Sequence, residues 1–417
     1  MSSELFLYNT LTRRKERFTP RDDGNTVKLF TCGPSIYAWP HVGNYRTYLF
    51  EDILQRYLEY LGYNVHRVIN FTDIEDKAVR QAAKTGVSVE SLTRPIGRGF
   101  LADCRRLGIA LPKTIPRSST SVDQAVYLIE KLLEKGHAYR QGRDIFYDPL
   151  TFKGFGKLFG LDMRRWPKKK IRFRQDTYPG NRWNLGDFIL WKGRRKSDGD
   201  TYWKTSLGEG RPAWNIQDPA MLTKHMGYTT DIWCGGTDNL YRHHDYNIAV
   251  VEAVSGKKLS NFWLHCEPVL SGGKKMSKST GNIVYLDDLA NEGFRPHHIR
   301  FFLIYNHFQE RIHLDDDKRH KARGKIDTLR DLAARLKKSG LAANSDGLGA
   351  PGSDDRLTVA FETHMNDNLN VNGAVDAVYE QVKQLAAMKA GGTLTPEKSR
   401  IAAEKLARID TVLRVLG

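Results

Sequence analysis

The segment that most constrains this chain changes its hydrophobic period twice. Val27 to Thr31 is apolar and strand-like, and the loop His41-Val42-Gly43-Asn44 comes after it. Leu49, Ile53, Tyr57, Leu58 and Leu61 then recur at helical spacing, and Gly62 supplies a stop. Val65 to Phe71 reads as a second buried strand. Strand, helix and strand in this order predict a βαβ unit, and hence a parallel sheet. His41 falls at the helix entrance, where free N–H groups and the positive end of the helix dipole attract phosphate.

A second motif lies far along the chain. Lys275-Met276-Ser277-Lys278-Ser279 occupies a Gly/Lys/Ser loop after the apolar run Asn261 to Leu270. Its two lysines bring the charge needed where pyrophosphate leaves. Either motif alone reads as an ordinary basic turn. Together, in this order and context, they point to nucleoside triphosphate chemistry.

Between the motifs, Gln124 to Lys135 is an amphipathic helix (Ala125, Leu128, Ile129, Leu132, Leu133). Residues 146–215 change character, being rich in Gly, Trp, Arg and Lys, with short strand-like pieces at Asp144–Tyr147 and Phe188–Trp191. This reads as an insertion between two halves of a sheet. The α/β pattern resumes with Thr229–Trp233, a helix from His244 to Val254 and a strand from Phe262 to Leu270. Helical patterning follows Pro296, Asn344 to Asp355 reads as a flexible linker, and Leu357 to Leu416 as amphipathic helices. The expected division is 1–145 and 216–290 for the two halves of the catalytic sheet, with 146–215 inserted. Residues 291–343 then form a helical stem, 344–356 a linker and 357–417 a C-terminal helical bundle.

The net charge of +17 argues for a polyanionic partner. It is concentrated at Arg164, Arg165, Lys168, Lys169, Lys170, Arg172 and Arg174, with Trp166 and Phe173 interleaved. Basic groups that meet phosphates and aromatics that stack on bases often occur together in this way, although such runs also occur as solvated loops. Arg164, Arg165 and Lys168 to Lys170 are therefore candidate RNA contacts. No apolar run approaches the length of a membrane span, and the start has no basic segment followed by an apolar one. Cys32, Cys104, Cys234 and Cys266 lack the spacing of a disulfide framework, so a reducing cytoplasm is the expected setting. The chain is expected to act as a monomer.

Taken in order, several stretches resemble class I aminoacyl-tRNA synthetases, and among them the cysteinyl-tRNA synthetases. They are Leu7 to Thr10, Cys32-Gly33-Pro34-Ser35-Ile36-Tyr37, the His41 motif, Asn70 to Lys77, Asp187 to Lys192, Gly210 to Trp214, the Lys275 motif and Met365 to Asn370. The resemblance spans nearly the whole chain. It implies a Rossmann-type catalytic domain split by an insertion and followed by a helical bundle. It also implies a two-step ligase that uses ATP with Mg²⁺. An amino-acid carboxylate attacks the α-phosphate, and the acyl group then passes to the terminal ribose of a tRNA. His41 and Asn44 would contact phosphates and adenosine, and Lys275 and Lys278 would stabilise the in-line transition state. Gly43, Gly235, Gly236, Asp238, Met276 and Ser277 would line the nucleotide site, while Cys32, Thr72, Trp214, Asp218, Trp233 and His243 would meet the amino acid.

The chain departs from that pattern where the family holds zinc. Cys32 and His243 keep two ligand positions, but Asp218 stands in the place of the second cysteine and Asn247 in the place of a glutamate. Trp233 replaces a pocket histidine and Cys234 a glycine. A rewired zinc site of Cys32, Asp218 and His243, joined by Cys234, is one reading. A metal-free pocket for an amino acid other than cysteine is another, and an inactive site a third. Family members also continue into an anticodon-reading domain, whereas this sequence stops at Gly417. A paralogous ligase that passes cysteine or another amino acid to a small-molecule amine or other non-tRNA acceptor in specialised biosynthesis is therefore the alternative to tRNA, with the basic charge weighing on the side of RNA.

Overall fold

The segment around His41 folds as its periodicity requires. In a computed structural model describing residues 4–22, 24–172, 185–277, 280–340 and 355–417, β1 (Phe6–Asn9) and β2 (Arg14–Arg17) form an N-terminal hairpin. β3 (Thr26–Thr31), α1 (Val42–Tyr60), β4 (Asn64–Ile69), α2 (Asp76–Thr85), α3 (Val89–Arg106) and α4 (Val122–Glu134) follow. β5 (Ala138–Gln141), β6 (Asp144–Tyr147), β7 (Phe188–Gly193), β8 (Trp203–Thr205) and β9 (Gly208–Pro212) then make an antiparallel sheet in the order β5-β6-β7-β9-β8. Next come α5 (Trp214–Met226), β10 (Thr230–Gly236), α6 (Asp245–Ser255), β11 (Ser260–Cys266), β12 (Val269–Ser271) and β13 (Lys274–Lys275). The remainder is α7 (Leu286–Asn291), α8 (Pro296–Ile304), β14 (Ile312–His313), α9 (Asp316–Gly340), α10 (Arg356–Met365), α11 (Val371–Ala390) and α12 (Pro396–Leu413).

The central sheet runs β11-β10-β3-β4, and every pairing in it is parallel. β3 passes through α1 to β4 on one side, while β10 passes through α6 to β11 on the other. The boundary between β3 and β10 is therefore the topological switch point, where open α/β sheets take ligands at the carboxyl ends of their strands. Register places Trp233 beside Phe30 and Cys234 beside Thr31. The Cys32 turn and the Gly235-Gly236 pair thus leave the sheet together.

The antiparallel sheet reaches back to Ala138, because β5 and β6 form a hairpin around Gly142, whose φ of 60° suits glycine. The apolar run expected as one strand to Leu270 is two, β11 and β12, parted by Glu267 and Pro268; proline cannot donate within a ladder. α5 has no clear helical period because nearly all its side chains are buried. The linker expected over 344–356 lies mostly outside the described residues, as do Phe173 and Arg174.

The C-terminal helices close on the back of α1. Tyr57 Oη donates to Asn366 Oδ1 at 2.7 Å. Arg300, fully buried on α8, pairs with Asp52 Oδ2 at 2.6 Å and donates to the carbonyls of Leu107 and Leu413. One continuous core joins α1 to α8 through α12. All four cysteines are free and buried. Among the described residues no helix is long and apolar enough to cross a membrane.

Candidate active site

His41 caps α1 with extended backbone, and its N–H donates to Asn44 Oδ1 at 2.9 Å. Asn44 thus shapes the turn that presents the helix N-terminus. The imidazole rests over Gly43, where an added Cβ would lie 3.1 Å from the ring. Burial, and then the charge of Lys275, lower the basicity of His41 to about 4. At neutral pH it is an uncharged imidazole.

The second motif folds against this turn. Met276 is buried, with its sulfur 3.6 Å from the Cβ position of Gly43. Val42 N–H donates to the Val284 carbonyl at 2.9 Å. Ser277 N–H donates to Asn282 Oδ1 at 3.0 Å, which ties the loop on its return. Lys275 reaches across to Asp238 Oδ2 at 2.6 Å. Gly235 and Gly236 end β10, and a Cβ on Gly235 would press within 2.8 Å of His244. The structure therefore gathers His41, Gly43, Asn44, Gly235, Gly236, Asp238, Lys275, Met276 and Ser277 at the switch point. Lys278 lies outside the described residues.

A few residues deeper, a polar cluster occupies the ends of β3 and β4. Gly33 is required there, since a Cβ would fall 1.7 Å from the Asn70 carbonyl. Asn70 accepts from Gly33 N–H at 3.0 Å and donates to Asp218 Oδ1 at 2.8 Å. Asp218 Oδ2 lies 2.7 Å from His243 Nε2 and 3.6 Å from the Cys32 sulfur. Burial alone would depress His243, but the Asp218 carboxylate outweighs it and holds its basicity up. Burial, and then Asp218, push the Cys32 thiol well above its ordinary range. Trp214 stacks on His243, with centroids 5.4 Å apart and planes at 19°. Thr72 is buried beside the Cys32 turn, its N–H donating to the Pro34 carbonyl.

Trp233 has no exposed surface and backs this cluster rather than facing it. Its indole N–H donates to His244 Nε2 at 3.2 Å. Because an indole can only donate, the His244 proton must sit on Nδ1, which meets His265 Nε2 at 2.8 Å. His265 Nδ1 in turn meets Thr10 Oγ1 at 2.9 Å. The Cys32 sulfur lies 3.1 Å from the same Nε2 of His244. From the sequence, Asn70 and Glu75 were noted only as part of the stretch Asn70 to Lys77 and His244 only as a helix start, and none of the three was given a part in the site. Glu75 is a buried carboxyl pushed up to about 7 by burial, against the opposing charge of Lys77. Position could have marked Asn70 further, since it follows β4 at the same sheet edge as Cys32.

The basic run in the insertion is divided. Arg164 pairs with Asp162, and Lys170 with Asp148, while Arg165, Lys168 and Lys169 are exposed. Trp166 is only 4% exposed and packs edge-on against Phe155, so it offers no stacking surface.

Residues 18–324 match the family model for the tRNA synthetases class I (C) catalytic domain. A cysteine–tRNA ligase of Chlamydia muridarum is 34% identical over 423 residues, covering 99% of this chain and 88% of that protein. The chain belongs to the class I cysteinyl-tRNA synthetase family. A second cysteine–tRNA ligase, from Brachyspira hyodysenteriae, is 37% identical over 335 residues, 80% of this chain and 70% of its own length. Solved synthetases share the fold at lower identity. Methionyl-tRNA synthetase of Mycobacterium tuberculosis, in complex with methionyl-adenylate, aligns with a TM-score of 0.66 at 17% identity, covering 94% of this chain and 90% of that one. The LeuRS of Agrobacterium radiobacter K84, in a ternary complex with tRNA and LeuAMS, aligns at 0.69 and 11%, covering 96% and 85%. The family makes this chain an ATP-dependent ligase of the aminoacyl-tRNA synthetase type.

Cysteine–tRNA ligases are typically zinc-dependent, and the donors here fit such an ion. The ligand atoms of Cys32, Asp218 and His243 all lie within 4.8 Å of one another. One sulfur, one oxygen and one nitrogen are all ligands that zinc accepts, so these three residues would hold the ion. Asn247, one helical turn from His243, is buried with its amide nitrogen unpartnered among the described residues.

Proposed function

We propose that this synthetase activates an amino acid at the cleft between His41 and Lys275 and transfers it to the 3′ end of a tRNA. The supporting observation is that both motifs and the Cys32–Asp218–His243 cluster converge on one switch point of the parallel sheet. In the first half-reaction a carboxylate oxygen of the amino acid bonds to the α-phosphorus of ATP, and the bond to the pyrophosphate oxygen breaks. His41, uncharged, donates a hydrogen bond to phosphate without needing to lose charge. The free N–H groups of α1 and the ammonium of Lys275, with Lys278, hold the charge that collects on pyrophosphate. Mg²⁺ enters with the ATP. Asp238 keeps Lys275 over the site until a phosphate displaces it.

The amino-acid side chain is read at Cys32, Asp218 and His243. Zinc held by these three residues would supply a Lewis acid for a soft side-chain donor. Asp218 in place of a thiolate makes the site harder and more polar, so the preference for a thiol over a hydroxyl or methyl group weakens. Without thiolate–zinc coordination that preference falls to about 1–3 kcal/mol. The test is charging of unfractionated tRNA with each of the twenty amino acids, with and without added zinc. Ester-linked amino acid on the tRNA is the expected product. Activation that proceeds with no acyl group reaching RNA would overturn the tRNA acceptor and point to a small amine.

A further inference from the structure

Beside the active site a cleft of about 580 Å³ opens between the His41 loop, α2 and α3. Its walls include Tyr37, Trp39, Lys77, Arg80, Lys84 and Tyr285, and among the described residues no acidic side chain lines it. We propose that this cleft receives the single-stranded 3′ end of the RNA acceptor, with Trp39 stacking on a base and the α2 cations on the backbone. The proposal rests on the tRNA reading above and assigns that RNA a path.

Two observations carry it. Trp39 is 54% exposed although it stands two residues before His41, and it lies against α3 at Gly99. A Cβ on Gly99 would fall 2.0 Å from the Trp39 ring, so the glycine makes room for the indole. A large aromatic seated on bare backbone with its remaining surface in solvent is a stacking platform. Lys77, Arg80 and Lys84 follow one another at i, i+3 and i+7, which places them on one face of α2. Lys77 reaches Tyr37 Oη at 3.3 Å, and Arg80 and Lys84 are exposed. Among the described residues neither of these two enters an ion pair, whereas Arg164 and Lys170 of the insertion do. Basic charge and an open ring therefore occur together at this cleft. In the basic run of the insertion the charge is exposed, but Trp166, the ring described within it, is buried. The exposed Arg165, Lys168 and Lys169 suit duplex backbone, which needs no stacking partner.

The experiment compares two RNA hairpins of the same stem, one with a single-stranded 3′ tail ending in CCA and one blunt. Affinity is measured for wild type, Trp39→Ala, Trp39→Phe and the double variant Arg80→Ala/Lys84→Ala. Wild type should prefer the tailed hairpin. Trp39→Ala should lose roughly tenfold on the tailed hairpin and little on the blunt one, and Trp39→Phe should recover most of that loss. The double variant, confined to an exposed helix face, should lower the salt slope for the tailed hairpin by about 1.4, or ~0.7 per phosphate. Equal binding of both hairpins by wild type, or unchanged tailed-hairpin binding in Trp39→Ala and the double variant, would overturn the cleft while leaving the tRNA reading in place. Wild type that binds neither hairpin would overturn both.

Discussion

His41 is a residue whose surroundings choose its protonation state. Burial comes first and the Lys275 charge second, and together they hold its basicity near 4. An imidazole in an unfolded chain titrates near 6.5 (about that value in model peptides). The stability linked to this difference is present above the unfolded value and is lost as pH falls toward 4. Titration of the His41 ring by NMR should therefore show a midpoint close to 4 and no transition near neutrality; a midpoint near 6.5 would remove the argument for a neutral donor. At this scale the sequence was legible wherever chemistry is written locally. His41, Lys275 and the Gly235-Gly236 pair announce themselves by their neighbours in the chain. Asn70, Glu75 and His244 do not, because their roles arise only when β3, β4, α5 and β10 are brought together. Trp166 misled for the same reason: its basic neighbours suggested a stacking ring, while the fold needed it against Phe155.

Elements are held in place around the site by a few buried charges. Asp76, at the start of α2, pairs with Arg211 on β9 at 2.6 Å and with Lys192 on β7. Burial would raise its basicity, but Lys192 and then Arg211 overcome it and bring it to about 2. The stability it contributes is present above the ordinary carboxylate value and lost as pH falls toward 2. Asp76→Asn leaves two cations facing each other at a buried junction and should cost roughly 3 kcal/mol. Urea unfolding would measure the loss, and hydrogen exchange should show α2 and β9 loosening together. Unchanged stability would mean that the insertion docks by apolar contact alone. The elements read correctly from sequence, such as α1, α4 and α6, show helical spacing or a continuous apolar run with clear ends. α5 was missed because burial on nearly every side erases that spacing, and Pro219 lies within it.

Across the whole molecule, the helix that presents His41 is clamped from behind by the C-terminal bundle. Asp52 meets Arg300 at 2.6 Å and Arg56 at 2.9 Å, and Arg300 also holds the carbonyl of Leu413, the last residue of α12. Arg300→Ala should cost about 3–5 kcal/mol, because it leaves Asp52 short of a partner in a dry core. It should also slow amino-acid activation, although the residue is far from the chemistry, because α1 loses an anchor. A variant with normal stability and rate would show that the bundle is passive. The order of sheet halves and helical bundle could be read from the sequence, whereas this cross-brace, built from residues distant in the chain, could not.

The central claim is that His41 and Lys275 form one site for ATP-driven carboxylate activation, and amino-acid-dependent exchange between pyrophosphate and ATP tests it most directly. Wild type should exchange with at least one of the twenty amino acids. Lys275→Ala should fall about 10²–10³-fold with stability changed by under ~1 kcal/mol, since its pair with Asp238 has side chains 55% and 62% exposed. No exchange with any amino acid, or an undiminished rate in Lys275→Ala, would contradict the account.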